Sequence, residues 1–414
     1  MSSPRARPLA LSVCLALAVP AAVPAGAGAG IGPGNALHVL GSLAYGHDDN
    51  LLRVPDGNPG FGNQREDSWW TREAGLLFDQ TYGRQRIALV GKLSKTEFDH
   101  FRQLDYDGKD LQANWYWQLG NRLQGKAGAT YQQVLAPYTD FLSSERNLRK
   151  TRSTYLDASW RFHAAWQARA GFQRDKYAYD APSQRFNNRI EDASELELDY
   201  LARSGSTVGL VARRVKGKYP YPRPVGPFVF NDNFTQDELK LRVKWSASGA
   251  TGVEALVGHT RRKQPSFGPG TTSGVAGKIK ATWQPRGKLT WNAAVWRDFA
   301  PLESTVVSYT LNKGANAGVQ WDATAKIRVN ADIVGERRNY NARNGGGGPA
   351  YLPAYLPGAL RDSIRTASLR TTWSPRPALQ VSAGYAHQAR SGAGGLGTAS
   401  FKSNSLTLSA SAQF

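Results

Sequence analysis

The sequence of 414 residues contains a single cysteine, Cys14, which lies in its N-terminal segment. A disulfide framework and a thiolate metal site are therefore excluded from the rest of the chain. Long apolar runs are also missing, because no stretch beyond that segment approaches the roughly 18 residues that a membrane-spanning helix needs. These absences exclude a disulfide-stapled scaffold and a helical membrane protein.

The N-terminal segment has the features of a secretory signal. Two arginines precede the apolar run 9–20, and small residues follow it. The run is too short to span a membrane, which is typical of a signal peptide. We expect 1–25 to be a signal peptide, 26–34 to be a lead-in and 35–414 to form the fold.

Apolar and polar residues alternate through most of the remaining sequence in segments of ten to fifteen residues. In the last segment, Leu406, Leu408 and Phe414 share one parity, whereas serine, threonine and glutamine occupy the other. Successive side chains of a strand point to opposite faces, so each such segment predicts a strand with one apolar face. Similar alternation occurs at 166–173, 195–200, 238–245 and 326–333.

Short turns recur roughly every 40 residues, and longer connections lie between them. The longer connections are predicted at 51–66, 136–147, 180–189, 219–233, 264–271 and 340–359. Short turns at one end and long loops at the other are typical of outer-membrane barrels. We expect the prolines to lie outside the strands, because proline removes a hydrogen-bond donor from the ladder.

Aromatic residues of the apolar parity mark most strand ends that run into a short turn. They are Phe78, Trp117, Trp160, Tyr200, Trp245, Trp283, Trp321, Trp373 and Phe414. Interfacial aromatics form girdles around membrane barrels, whereas a soluble sandwich has no reason to carry them. The sequence thus predicts an all-β fold: a transmembrane antiparallel up-and-down β-barrel of about 18 strands. Short periplasmic turns, long extracellular loops and contact with outer-membrane lipid follow from it.

The polar parity should face a lumen, and basic residues outnumber acidic ones in the chain as a whole, 52 to 32. One interpretation is a polar wall of ion pairs, and the other is a cationic corridor that favours anions. Nucleic acid is not an expected partner, because the basic residues are spread over alternating strands. The predicted channel lining is Arg122, Lys126, Arg169, Lys240, Arg242, Lys244, Lys278, Lys280, Arg328 and Arg370.

The predicted loops carry aromatic residues that are suited to stacking on sugar rings. They are Tyr221, Phe228, Tyr351 and Tyr355. The run 340–359 is rich in glycine and proline. It either folds inward as a constriction or plug, or stays outside, and the sequence leaves both alternatives open.

Sequence signatures of catalysis are missing. No zinc-protease, nucleophile-elbow or phosphate-loop motif occurs, and the six histidines are scattered. His47 precedes Asp48 and Asp49, but general-base catalysis needs a partner geometry that sequence does not supply. We therefore expect no enzyme activity, no cofactor and no metal site.

Several short stretches resemble one family. The stretches GHDDNLLR at 46–53, ERNLR at 145–149, WRFHAAW at 160–166 and the closing 409–414 are similar to EpsL-type outer-membrane proteins. These belong to exopolysaccharide biosynthesis operons, often beside exosortase systems. The resemblance implies a porin-like channel that assists export of an exopolysaccharide. The polysaccharide would be anionic if a basic lumen selects it. Whether a periplasmic export partner completes the path is left open.

The C-terminal Phe414 resembles the signal that the barrel assembly machinery recognises. Two alternatives to polysaccharide export remain open at this stage. One is a general or anion-selective porin for small solutes, and the other is a plugged structural or adhesive barrel.

Overall fold

The computed structural model describes residues 36–225, 228–264, 271–302, 309–340, 361–392 and 398–414. The predicted signal peptide and the predicted lead-in lie outside these residues. Strands make up most of the described chain. They are β1 (Leu37–Asp48), β2 (Asp67–Tyr82), β3 (Gln85–Phe98), β4 (Tyr106–Leu119), β5 (Leu123–Leu135), β6 (Leu148–His163), β7 (Trp166–Tyr179), β8 (Arg189–Leu201), β9 (Thr207–Lys218), β10 (Arg223–Val225), β11 (Phe228–Phe230), β12 (Phe234–Ser248), β13 (Thr251–Lys263), β14 (Thr271–Arg286), β15 (Leu289–Pro301), β16 (Tyr309–Asp322), β17 (Ile327–Asn339), β18 (Arg361–Arg376), β19 (Leu379–Ser391) and β20 (Phe401–Gln413).

Eighteen of these strands form one sheet in which each strand pairs antiparallel with its neighbours in the chain. β10 and β11 are set apart as a small hairpin, so β9 pairs directly with β12. β1 pairs with β20 and closes the sheet into a barrel. Phe414 completes this seam, because its backbone N–H and C=O both bond to Val39. The predicted 18-stranded up-and-down barrel is confirmed.

Burial along the strands is inverted relative to a soluble protein. Apolar side chains of one parity are exposed, for example Leu196 at 64% and Ile333 at 67%. Polar side chains of the other parity are buried, for example Glu197 and Lys240, both at 4%. We call the exposed apolar parity the outward face and the polar parity the inward face. An outward apolar band with a polar interior is the arrangement of a membrane barrel.

Aromatic side chains on the outward face surround the end that carries the short turns. Trp245, Trp283 and Phe414 are exposed to 55%, 51% and 78%. Trp160, Tyr200, Trp321 and Trp373 are exposed as well, whereas Phe78 and Trp117 are half-buried. This ring matches the predicted girdle, and it places the membrane interface next to the turns.

The short turns join β2–β3, β4–β5 and each later hairpin on the same side of the barrel. Gly83 and Gly120 both have φ of +60° in these turns, a conformation that other residues adopt only with strain. The strand ends that lead into the longer connections lie on the opposite side, where 99–105 joins β3 to β4 in addition to the predicted set. Arg102–Leu104 and Pro182–Asn187 form short 3-10 helices there.

The expectation that the prolines avoid the strands is wrong at several positions. Pro285 in β14 and Pro375 in β18 lie where the register slips by one residue, between Trp283 and Arg286 and between Trp373 and Arg376. A β-bulge leaves its extra residue unpaired, so a proline there removes no ladder bond. Pro301 ends β15, and Pro224 lies in the separate β10–β11 hairpin. None of the described helices has the length and apolarity to span a membrane.

Candidate channel and its lining

Three loop-side connections, 49–66, 99–105 and 136–147, pack together inside the mouth of the barrel. They form a buried apolar cluster with Trp69, Phe98 and Tyr106, which belong to the inward faces of β2, β3 and β4. We call it the loop cluster, and the connections supply Leu51, Leu52, Val54, Phe61, Phe101, Leu104 and Tyr138 to it. Since each large apolar side chain contributes about 1.5–3 kcal/mol when buried, this packing holds the three connections against the inner wall.

The GHDDNLLR stretch at 46–53 builds the start of this cluster. The carboxylate of Asp48 is fully buried and accepts hydrogen bonds from the backbone N–H of Asn50 at 2.9 Å and from Ser403 Oγ at 2.9 Å. The guanidinium of Arg53 binds the same carboxylate at 2.8 and 3.0 Å. This turn directs Leu51 and Leu52 into the loop cluster. The ERNLR stretch meets it there, because Leu148 belongs to the same cluster.

Asp140, in the connection between β5 and β6, reaches a distant part of the wall. Its Oδ1 lies 2.7 Å from Arg338 on β17 and 3.0 Å from Arg390 on β19. In the closed strand order β17 and β19 are nearly half a circumference away from β5 and β6. The backbone C=O of Thr139 also accepts a hydrogen bond from Arg390. The connection 136–147 therefore crosses the lumen.

The wall that receives Asp140 is a buried polar network. Arg390 also pairs with Asp362 on β18, and both side chains are fully buried. Tyr340 donates a hydrogen bond to Asp362 at 2.6 Å. Burial alone would raise the pKa of the Asp140 carboxyl, but Arg338 and Arg390 outweigh burial and lower that pKa below its ordinary value. Asp140 is therefore held as a carboxylate between two guanidinium groups.

A second network follows the inward faces of β7, β8, β9 and β12. Glu197 is paired with Arg169 at 3.1 Å and with Arg242 at 3.0 Å. Arg242 continues to Glu195 at 3.5 Å, and Lys240 pairs with Glu238 at 2.8 Å. Successive inward positions of neighbouring strands thus alternate in charge, which stabilises a polar wall without excess charge of one sign.

The predicted lining residues fall into three groups. Arg169, Lys240 and Arg242 belong to the network just described, and Arg328 pairs with Asp322 at 2.6 Å. A second group lies on inward faces with no ion pair among the described residues, namely Lys126, Lys244, Lys278, Lys280 and Arg370. Arg122 does not line the barrel wall, because it lies exposed in the turn between β4 and β5.

Charge is divided unequally between the two faces of the barrel. On the described inward faces acidic and basic residues are about equally numerous. Four of the acidic residues belong to β8, namely Glu191, Glu195, Glu197 and Asp199. Basic residues dominate the outward positions near the loop side. They include Arg72, Lys95, Lys109, Arg152, Lys176, Lys216, Lys218, Arg261, Lys263, Lys313, Arg337, Arg361, Arg365 and Lys402. Much of the positive charge of the chain thus faces away from the lumen.

The predicted loop aromatics do not form one surface in the described chain. Tyr221 is exposed and lies under the guanidinium of Arg185, 4.9 Å from the ring centroid. Phe228 is in β11, and its side chain lies outside the described residues, as do Tyr351 and Tyr355. The alternatives for 340–359 also concern residues that lie almost entirely outside the described ranges.

His47 and Asp48 point to opposite faces of β1. His47 Nδ1 lies 3.0 Å from Ser68 Oγ on the outward face, whereas Asp48 points inward to Arg53. The two side chains therefore do not converge on a reaction site. Within the described ranges, no group of three His, Cys, Asp or Glu residues is placed to hold a metal ion.

Sequence reasoning did not identify Asp140, Arg338 and Arg390 as channel residues. Asp140 and Arg338 are 198 positions apart in the chain, and Asp140 lies in a connection without periodicity. The alternation in β17 and β19 indicates only that Arg338 and Arg390 point inward.

Solved structures are similar to this chain in fold. The structure of Acinetobacter baumannii OccAB3 has a TM-score of 0.50 at 10% identity, covering 91% of this chain and 99% of that one. Pseudomonas aeruginosa OpdK with vanillate and OccK2 (OpdF) with glucuronate each have a TM-score of 0.48 at 11% identity. They cover 91% of this chain, and 99% and 98% of their own lengths. No protein-family model and no curated protein matches the chain. At these identities the similarity concerns the barrel architecture.

Proposed function

We propose that this protein is a passive outer-membrane channel for small hydrophilic solutes, with a preference for anions. Barrels of 16–18 strands leave an aqueous interior, and this barrel has 18 strands with a polar inward face. The connection 136–147 narrows that interior. Solutes would pass the loop by diffusion through the remaining space, so no reaction step and no cofactor is involved.

The observation that carries the anion preference is a stripe of cations on the inward faces of β12 and β14. Three of its members, Lys244, Lys278 and Lys280, have no ion pair among the described residues, whereas Lys240 and Arg242 beside them are paired with glutamates. On β13 between them, Glu254 faces Lys244 on one side and Lys280 on the other. Lys278 and Lys280 are only half-buried, so water and ions reach them. Charged residues that line a pore set its ion selectivity, so this stripe favours anions locally.

The test is the reversal potential of the full protein in a planar bilayer under a potassium chloride gradient. We expect wild-type channels to favour chloride and the Lys278→Glu/Lys280→Glu variant to favour potassium. The control is Lys313→Glu, which changes an exposed cation on the outward face of β16. An unchanged reversal potential in the lumen variant, or an equal shift in the control, would contradict the proposal.

Export of an exopolysaccharide is the second candidate. What supports it is that the 46–53 and 145–149 stretches, which carry the resemblance to EpsL-type proteins, both contribute to the loop cluster. A role of the loop cluster in export would require the residues of both stretches, although the two stretches lie far apart in the chain. The test compares surface-released with periplasmic polysaccharide in an in-frame deletion strain. Accumulation in the periplasm would favour export, and unchanged amounts would leave the small-solute channel as the function.

A further inference from the structure

The outward faces of β6, β7, β9 and β13 carry a group of cations on the loop side. Arg152 is directly opposite Lys176, and Ile190 of β8 connects that pair to Lys218 in the same row. In the adjacent row Lys216 is joined through Thr235 to Lys263 of β13. We call these five residues, Arg152, Lys176, Lys216, Lys218 and Lys263, the rim cation patch, and all five are exposed.

The described carboxylates beside this patch are paired with other cations, although Asp192 lies directly opposite Lys216. Asp192 lies in the second row but is held by Arg174 at 2.6 Å, and Asp237 is held by Arg214 at 2.6 Å. No residue of the patch has an ion pair with a described carboxylate. The neighbouring segments 226–227 and 265–270 contain no acidic residue. Like charges directly opposite each other destabilise a sheet, so the Arg152–Lys176 pair has a cost that a bound anion would remove.

The position of the patch defines what kind of anion reaches it. On β6 and β7, four residues from Arg152 and Lys176 toward the turns, the outward face becomes apolar, with Leu156 and Phe172 opposite each other and both exposed. Neighbouring strands are about 4.8 Å apart, so one phosphate spans two cations of adjacent strands. Lysine and arginine bind phosphate through charge-assisted hydrogen bonds. A ligand at this site has its phosphate at the patch and its acyl chains against the apolar band.

We propose that the rim cation patch binds the phosphorylated headgroup of an outer-leaflet lipid. The patch faces lipid and lies outside the lumen, so this binding is separate from the proposed passage of anions. It accounts for part of the outward excess of positive charge, which lumen selectivity leaves unexplained.

The test measures binding of diphosphoryl lipid A to the purified full-length protein in detergent, by native mass spectrometry. The variant is Lys216→Gln/Lys218→Gln on the outward face of β9. The matched control is Lys278→Gln/Lys280→Gln, which changes two lysines at the same spacing on the inward face of β14. Basic residues near an anionic lipid surface contribute about 1 kcal/mol each, so we expect roughly 30-fold weaker binding in the outward variant. The control should bind like the wild type.

Three outcomes would overturn the proposal. One is equal binding by the outward variant and the wild type, with both folded as judged by heat-dependent mobility. Another is equal binding of the same glycolipid after both phosphates have been removed, which would assign the affinity to the acyl chains. The third is complete displacement by millimolar inorganic phosphate, which would identify free phosphate as the ligand.

Discussion

The inner and outer surfaces of this barrel are built from the same strands, but they differ in the balance of positive and negative charge. On the inside, Arg242 is tied to Glu195 and Glu197, and charges alternate from strand to strand. On the outside, Leu239 and Leu241 are exposed in an apolar band, and above it basic residues outnumber acidic ones, so that many cations have no carboxylate partner among the described residues. The difference follows from the solvent that each surface faces.

Water in the lumen permits charges of both signs, and close acid–base pairs keep the wall ordered. Lipid permits charge only at its headgroup boundary, where phosphate supplies the missing negative charge. An overall charge of +20 is therefore a poor guide to the lumen of a barrel. The parity of a basic residue decides whether it faces the lumen or the lipid, and its position along the strand decides whether it lies at the headgroup boundary.

Two adjacent residues of β12 give the most direct test of the difference between the inner and outer surfaces. Leu241→Arg places a charge in the apolar band and is expected to cost about 2–4 kcal/mol near the bilayer midplane. Arg242→Gln, one residue further, keeps a hydrogen-bonding group beside Glu197 and should assemble normally. The measurement is the folded fraction in outer-membrane preparations. Equal tolerance at both positions, or a loss at position 242 alone, would contradict the assignment of faces.

The contact between the connection 136–147 and the far wall of the lumen can be tested independently of the outer surface. Asp140→Asn keeps the shape of the side chain but removes the charge that Arg338 and Arg390 share. Hydrogen bonds to charged groups contribute about 1.5–3 kcal/mol, so the loop should lose its hold on the far wall. We expect a higher and noisier single-channel conductance in planar bilayers.

A matched control for Asp140→Asn is Asp79→Asn. Asp79 is an inward carboxylate that pairs with Arg86 on the next strand and joins no loop to the wall. Its substitution should leave the conductance close to that of the wild type. A conductance increase of equal size in both variants would mean that lost charge, and not a released loop, is the cause.

The barrel was predictable from sequence because its determinants are local. Each strand carries its own alternation, and residues such as Trp245 and Trp283 mark its turn-side end. The crossing of the lumen by 136–147 was not predictable, because it depends on Asp140 meeting arginines on β17 and β19. The outward cations lay within the same alternation, since Arg152 shares its parity with Leu156. Their parity was readable, but which cations remain unpaired depends on cross-strand register.

The pH dependence of conductance sharpens the assignment of Asp140. Its pKa is lowered in the folded protein, so the loop contact is complete above the ordinary aspartate pKa of about 3.9 and is lost as the pH falls through the lowered value. We expect a rise in wild-type conductance only below about pH 4, and no such step in Asp140→Asn. A step between pH 5 and 7 that depends on Asp140 would mean that the arginines do not hold it.

The smallest expected effect concerns the turn-side girdle on the outer surface. Trp166 and Tyr200 form an edge-on ring pair with centroids 5.4 Å apart. Such pairs contribute about 0.5–1.5 kcal/mol beyond the area that they bury, so Trp166→Leu should lower the free energy of unfolding in lipid vesicles by that amount more than the lost apolar area explains. Phe172→Leu is the control, because Phe172 lies in the apolar band of the same strand and has no ring partner among the described residues. If both substitutions lower the free energy of unfolding equally, the girdle acts through hydrophobic area alone, and its ring geometry adds nothing to the stability of the outer surface.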